Sequence, residues 1–249
     1  MATLPLDKPA GVLVKTTCVD FPGLVAGSFF LKGCNLRCPY CYNTGLVLDT
    51  PSDVTLNTVQ ELFDHMEKRQ GILSGIVISG GEPLINPYTP LIIKKARELS
   101  YKVKLDTNGT LPDELEVFLN DKELRPDFVA MDYKTSPARY ASTMCPAFSS
   151  LFGNTEFFEK KVLKCIELVS SLPQQEREWR TVMVPGLITK EDLKIMASYL
   201  PQDASWQFAQ FMNGNCIDPA YNTLTPYTDD ELKELITYAK TLITGAELR

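Results

Sequence analysis

Short apolar runs alternate along this chain with longer segments of helical period. The runs at 24–31 (LVAGSFFL), 75–79 (GIVIS), 101–106 (YKVKLD), 127–133 (DFVAMDY), 178–184 (EWRTVMV) and 204–211 (ASWQFAQF) predict strands. Between and after them, 55–70, 88–100, 112–120, 155–172, 189–200 and 228–243 predict helices. Within 55–70, Leu56, Val59, Leu62, Phe63 and Met66 form one apolar stripe, with Glu61, Asp64 and Lys68 on the other side. Strand and helix alternating at this spacing indicate βαβ units and a parallel sheet, either a partial (β/α) barrel or an open doubly wound sheet. No internal repeat or low-complexity tract interrupts the pattern, although 135–154 is a long loop rich in Ser, Pro and Ala, of the kind that is often functional.

Composition narrows the picture further. With 249 residues, 44% hydrophobic and 22% charged, the chain has an ordinary globular balance, and its length suits a single domain over 1–249. A formal charge of -6 repels nucleic-acid phosphates, so no nucleic-acid partner is expected. No apolar run approaches the ~18 residues of a membrane span, and the N-terminus carries no secretory pattern, so the expected location is cytoplasmic with no membrane partner. Seven cysteines, three of them within eight residues, suggest metal ligands or free thiols in a reducing compartment rather than a disulfide framework.

That cluster reads Gly33-Cys34-Asn35-Leu36-Arg37-Cys38-Pro39-Tyr40-Cys41-Tyr42-Asn43, a C-x3-C-x2-C pattern following the first predicted strand. Thiolates select zinc, copper(I) or iron–sulfur clusters. A closed zinc site normally takes four protein ligands, and no fourth is evident: His65 lies off its helix's apolar stripe, and Cys18, Cys145, Cys165 and Cys216 are scattered. For a [4Fe-4S] cluster three thiolates have a purpose, because they leave one iron open to an exogenous ligand.

Further segments follow the strands. Ser79-Gly80-Gly81-Glu82-Pro83 permits a turn with no side chain between the backbone and a ligand, though Gly-Gly pairs after strands are also simply turns. Leu105-Asp106-Thr107-Asn108-Gly109 and Met131-Asp132-Tyr133-Lys134 each end a strand with a carboxylate. With Glu82 they place acids at successive strand ends, the rim where barrel enzymes assemble their sites. Such a rim suits sulfonium and ammonium charges and a cation, while capping and turn chemistry would also account for Asp106 beside Asn-Gly.

The cysteine pattern, with Tyr40 before its last thiol, resembles the cluster loop of radical S-adenosylmethionine (SAM) enzymes. The L-D-T-N-G and D-x-K segments, Arg180 in Arg-Thr-Val-Met-Val-Pro-Gly, and Asp20 in Lys15-Thr-Thr-Cys-Val-Asp-Phe-Pro-Gly23 resemble motifs of the glycyl radical enzyme activases within that family. The likeness runs over about residues 11–220, is nearest to short activators of anaerobic ribonucleotide reductase, and has pyruvate formate-lyase activase as a neighbour. It implies a partial (β/α)6 barrel with one [4Fe-4S] cluster on Cys34, Cys38 and Cys41. It further implies SAM contacts by Tyr40, Tyr42, Gly80, Gly81, Glu82, Asp106, Asn108, Asp132, Lys134 and Arg180, with Lys134 pairing the SAM carboxylate and Asp20 meeting the substrate peptide. The implied partners are a glycyl radical enzyme and a flavodoxin or ferredoxin as electron donor.

The chain departs from this pattern at two points. Tyr42 stands where the cluster motif usually has His, and no His lies in Gln210–Asn213 after the sixth strand. The competing readings are a radical SAM enzyme acting on a small molecule, such as a deazaguanine synthase, a zinc-binding module, and an electron-transfer iron–sulfur protein.

Overall fold

The computed structural model describes residues 4–48, 54–144 and 155–249. The second half of the predicted 135–154 loop, with Cys145, lies outside them. Contacts gather the chain into two compact units: Met1–Asn35, Gly45–Thr107 and Asp113–Val129 in the first, and Leu36–Thr44, Asn108–Pro112 and Ala130–Arg249 in the second.

In the first unit the strands are β1 (Pro9–Thr17), β2 (Ala26–Leu31), β3 (Asn57–Thr58), β4 (Gly75–Gly80) and β5 (Lys102–Thr107), ordered β3-β1-β2-β4-β5. The pairs β2–β4 and β4–β5 are parallel, as the alternating pattern predicts, with Ala26 opposite Gly75 and Gly75 opposite Lys102. The edge formed by β1 and β3 is antiparallel, which the sequence reading did not foresee. β1 begins at Pro9, contains Gly11 and has a largely exposed second half, so it lacks the apolar run of a central strand.

The helices of this unit are α2 (Val59–Lys68) and α3 (Thr89–Glu98), with most of α4 (Pro112–Asn120); α1 (Thr44–Val47) lies across the boundary between units. α2 buries Val59, Leu62 and Met66, the heart of the predicted stripe. Its start is fixed by a capping box: the Thr58 hydroxyl accepts the Glu61 N–H (3.0 Å) and the Glu61 carboxylate accepts the Thr58 N–H (2.7 Å). His65 bonds the Lys15 carbonyl at 2.8 Å, which gives the only histidine a structural partner.

β6 (Phe128–Asp132) begins in the first unit and ends in the second, where β7 (Arg177–Met183), β8 (Trp206–Gln210) and β9 (Ala246–Leu248) follow in order. β7–β8 and β8–β9 are parallel. The helices are α5 (Tyr140–Met144), α6 (Thr155–Ser170), α7 (Lys190–Ala197) and α8 (Asp229–Leu242). Trp206 is fully buried against Phe208 (ring centroids 4.7 Å apart), and its indole N–H donates to the Thr181 hydroxyl at 2.9 Å. That hydroxyl donates in turn to the Tyr133 carbonyl at 2.6 Å, so core packing reaches the strand end that carries Asp132 and Lys134. No helix among the described residues is long and apolar enough to cross a membrane.

Candidate active site

In the first unit, Gly33 and Cys34 follow β2 and pack against the turn after β4. The Gly81 N–H donates to the Leu31 carbonyl and the Glu82 N–H to the Gly33 carbonyl, both at 2.8 Å. Gly80 has φ +116°, and a Cβ there would meet the Leu31 backbone at 2.3 Å; a Cβ on Gly81 would fall 1.8 Å from the Gly33 carbonyl oxygen. The two glycines are thus required for backbone to touch backbone at the base of the cysteine loop.

Glu82 is fully buried. Its carboxylate accepts from the Leu84 N–H (3.1 Å), starting a short 3-10 turn, and from the Thr107 hydroxyl (3.0 Å). Asp106 is buried at the end of β5, 3.3 Å from the ammonium of Lys104. Asp20 precedes a turn in which the Leu24 N–H donates to the Phe21 carbonyl, with Pro22 and Gly23 (φ +72°) at its centre. The Asp20 carboxylate accepts the Ser28 hydroxyl at 2.7 Å.

The second unit holds the rest of the cysteine loop. The Arg37 N–H donates to the Met144 carbonyl at the end of α5 (2.9 Å), while the Ile217 and Asp218 N–H groups donate to the carbonyls of Cys41 (3.1 Å) and Pro39 (3.0 Å). The loop backbone is therefore held from two sides. Cys38 and Tyr40 are buried, Cys41 is half-buried and Tyr42 is exposed. None of the three thiols of the motif is in a disulfide, and burial pushes that of Cys41 up.

Cys216, whose role the sequence left open, is buried in the Gly214–Asp218 segment that braces the loop; burial raises its thiol pKa too. Cys18 is exposed, and Cys165 is buried inside α6 as a small apolar side chain.

Beside this loop lies a charged cluster. Asp132 accepts from Arg180 Nε (3.0 Å) and Nη2 (2.8 Å) on one oxygen, and from Lys134 Nζ (3.1 Å) on the other. Burial alone would raise the Asp132 pKa, but the Arg180 and Lys134 charges outweigh it and hold the carboxyl well below the usual range. Burial would likewise lower Lys134, yet the Asp132 carboxylate outweighs it and keeps the ammonium charged.

Tyr140, which no sequence signal marked, clamps this turn: its hydroxyl accepts the Lys134 N–H at 2.7 Å and donates to the Asp132 carbonyl at 3.3 Å. The Tyr133 N–H donates to the Arg180 carbonyl at 2.7 Å, so the D-x-K backbone is pinned along its length. Tyr140→Phe leaves the Lys134 N–H without this acceptor. It should cost about 1–2 kcal/mol, or about 2–8 °C in Tm for a chain of this size. Thermal unfolding checks this, and an unchanged Tm would contradict the clamp. Asn108 is used locally, its side-chain oxygen accepting the Thr110 N–H (3.1 Å) and hydroxyl (2.6 Å), which is turn chemistry.

Glu82, Asp106 and Asp132 are each engaged by donors or cations of the chain. No three His, Cys, Asp or Glu among the described residues group to hold a single ion. A cluster does not need such convergence, because each thiolate binds a different iron.

The residues fit a cluster with SAM on other grounds. Three soft donors outside any disulfide lie in one short segment, and the buried Tyr40 hydroxyl between two of them has no hydrogen-bond partner among the described residues. Burial raises the Tyr40 pKa well above its ordinary value, so the phenol stays protonated as a donor.

A cysteine loop braced by backbone, followed by Gly-Gly-Glu and D-x-K strand ends, defines an α/β enzyme class, and comparison with known proteins agrees. The chain belongs to the radical SAM superfamily, whose family model matches residues 28–200. It is 30% identical over 238 residues to the Methanocaldococcus jannaschii protein named "Putative glycyl-radical enzyme activating enzyme MJ1227", covering 95% of this chain and 94% of that one. A 7-carboxy-7-deazaguanine synthase of Aquifex aeolicus is 32% identical over 174 residues, covering 68% and 72%. Streptococcus suis SuiB bound to S-adenosylmethionine shares the fold, with a TM-score of 0.57 at 15% identity, over 87% of this chain and 47% of that protein. The fold is accordingly the α/β radical SAM fold with a mostly parallel sheet.

Proposed function

We propose that this protein is a glycyl radical enzyme activase that cleaves SAM reductively and removes a hydrogen atom from a glycine Cα of a partner enzyme, with anaerobic ribonucleoside-triphosphate reductase as the partner. The observation that carries this reading is similarity to MJ1227 along nearly the whole of both chains, including the Asp20 segment, which precedes the matched family model. Cys34, Cys38 and Cys41 would hold a [4Fe-4S] cluster, which when bound would supply the electron for reductive cleavage of SAM.

The chain's own residues position and exclude. Lys134, kept charged and fixed in place by Asp132 and Tyr140, pairs with the SAM carboxylate. The Gly80-Gly81-Glu82 turn, with Asp106 and Asn108, holds the methionine end, while Tyr40 and Tyr42 flank the cofactor and Arg180 orients Asp132. Asp20 meets the partner's glycine loop. One electron from a flavodoxin or ferredoxin and one hydrogen atom from glycine balance the reaction, giving methionine, 5'-deoxyadenosine and a stored glycyl radical in a cytoplasmic setting.

The likeness to 7-carboxy-7-deazaguanine synthase favours a second reading, a small-molecule substrate, over two thirds of the chain. The two are separated by incubating the reduced, reconstituted protein and SAM with an anaerobic ribonucleotide reductase and recording its EPR spectrum. A glycyl radical signal dependent on this protein is expected. Its absence, with turnover of a deazaguanine precursor instead, would favour the second reading.

A further inference from the structure

Lys104 lies in β5 with its side chain fully buried, an unusual place for an ammonium group. Its Nζ donates to the Asp20 carbonyl at 2.6 Å, lies 3.3 Å from the Asp106 carboxylate and sits 5.7 Å from the centre of the Phe128 ring. An apolar side chain of similar length would fill this space with no charge to desolvate, so burial alone does not call for a lysine. What the ammonium adds is direction, joining the loop before β2 to the end of β5, 84 residues further along the chain.

The Asp20 loop is held elsewhere too. The Thr17 hydroxyl accepts the N–H groups of Val19 (3.2 Å) and Asp20 (3.3 Å), Ser28 donates to the Asp20 carboxylate, and Phe21 is buried with its ring 6.0 Å from that of Phe128. Ser28 therefore orients the carboxylate and Lys104 the backbone behind it, while Val19, next to Asp20, is two-thirds exposed. One face of the loop is anchored and the other is presented outward.

We propose that Lys104 is a positioning residue for recognition of the partner's glycine-bearing segment: it fixes the Asp20 loop and ties its placement to Asp106 at the strand end. The proposal rests on the reading that Asp20 meets the substrate peptide, and deepens it by naming what holds Asp20 in place.

Hydrogen–deuterium exchange of the full chain, with Lys104→Met against the unsubstituted protein, tests the anchoring without any need for turnover. The amides of residues 17–24 should exchange about tenfold faster, from loss of a charged hydrogen bond, while those of β2 and β4 keep their rates. A Lys104→Gln variant, which keeps a donor without the charge, should fall between the two and decides the matter should the methionine variant fail to fold. Unchanged exchange at 17–24, or a rise spread equally over β2 and β4, would overturn the proposal.

The functional half is read from kinetics with a synthetic peptide spanning the glycine loop of an anaerobic ribonucleotide reductase. Lys104→Met should raise KM for this peptide about tenfold and change kcat much less, and Asp20→Asn should raise the same KM. Faster exchange at 17–24 combined with an unchanged KM for Asp20→Asn would sink the peptide-contact reading of Asp20 while leaving the anchoring in place.

Discussion

Cys38→Ala should bind no intact [4Fe-4S] cluster after anaerobic reconstitution, and its formation of 5'-deoxyadenosine from SAM should fall to background. The reason is stoichiometric: a cluster on three thiolates with one iron open to SAM has no protein ligand to spare, and no second cysteine pair stands near in sequence to replace the lost one. Cys38 is buried, so removal of its sulfur leaves only a small void and the chain should still fold. Cys18→Ala is the natural contrast, since that thiol is exposed and outside the motif. Its iron and sulfide content should match the unsubstituted protein. Cleavage by Cys38→Ala at the unsubstituted rate would contradict the ligand assignment.

Gly81→Ala is expected to be the most damaging single-methyl change in the first unit. The added carbon would fall 1.8 Å from the Gly33 carbonyl oxygen and 3.2 Å from the Cys34 Cβ, and the first obstacle is backbone, not a flexible side-chain tip. The turn after β4 must retreat, giving up the Gly81-to-Leu31 and Glu82-to-Gly33 hydrogen bonds or displacing Cys34. Overpacking of this kind costs about 3 kcal/mol or more, which lowers Tm by at least about 6–12 °C at this chain length. Because the displaced atoms begin the cysteine loop, cluster incorporation should fall with stability. Calorimetry and iron analysis check both, and a Tm within about 2 °C of the unsubstituted protein, under 1 kcal/mol, would show that the turn can yield.

These two sites differ in how far the sequence reveals them. The thiols are visible because cluster chemistry demands a donor type at a short spacing, and the central strands because burial on both faces leaves uninterrupted apolar runs such as GIVIS and DFVAMDY. Gly80 and Gly81 stand out in the sequence as glycines, but their close contacts with the backbone of Leu31 and Gly33 do not. Asn108 read as a cofactor contact, and its side-chain oxygen caps Thr110.

What escaped notice has a physical cause in each case. β1 carries Pro9, Gly11 and the exposed Val14, Lys15 and Thr16 at an antiparallel edge, and β9 is three residues long, so neither presents a period to detect. α5 is one short turn, yet through Tyr140 and Met144 it supports both D-x-K and the cysteine loop. Nothing local to Tyr140 marks its hydroxyl as the acceptor for a backbone N–H six residues away. Lys104 looks like the polar position of a half-buried strand, yet it is fully buried with its ammonium on the Asp20 carbonyl and near the Phe128 ring. Pairings made by distant parts of the chain leave no trace in the residues beside them.

The central claim is that this chain cleaves SAM by a one-electron route from a cluster on Cys34, Cys38 and Cys41. The direct measurement is anaerobic reconstitution, reduction with dithionite and addition of SAM, with 5'-deoxyadenosine and methionine quantified while the EPR spectrum of the reduced cluster is recorded. Equal amounts of the two products, with a [4Fe-4S] signal that changes on adding SAM, are predicted. A fully loaded, reducible cluster whose spectrum ignores SAM and yields neither product would contradict the account and leave an electron-transfer protein in its place.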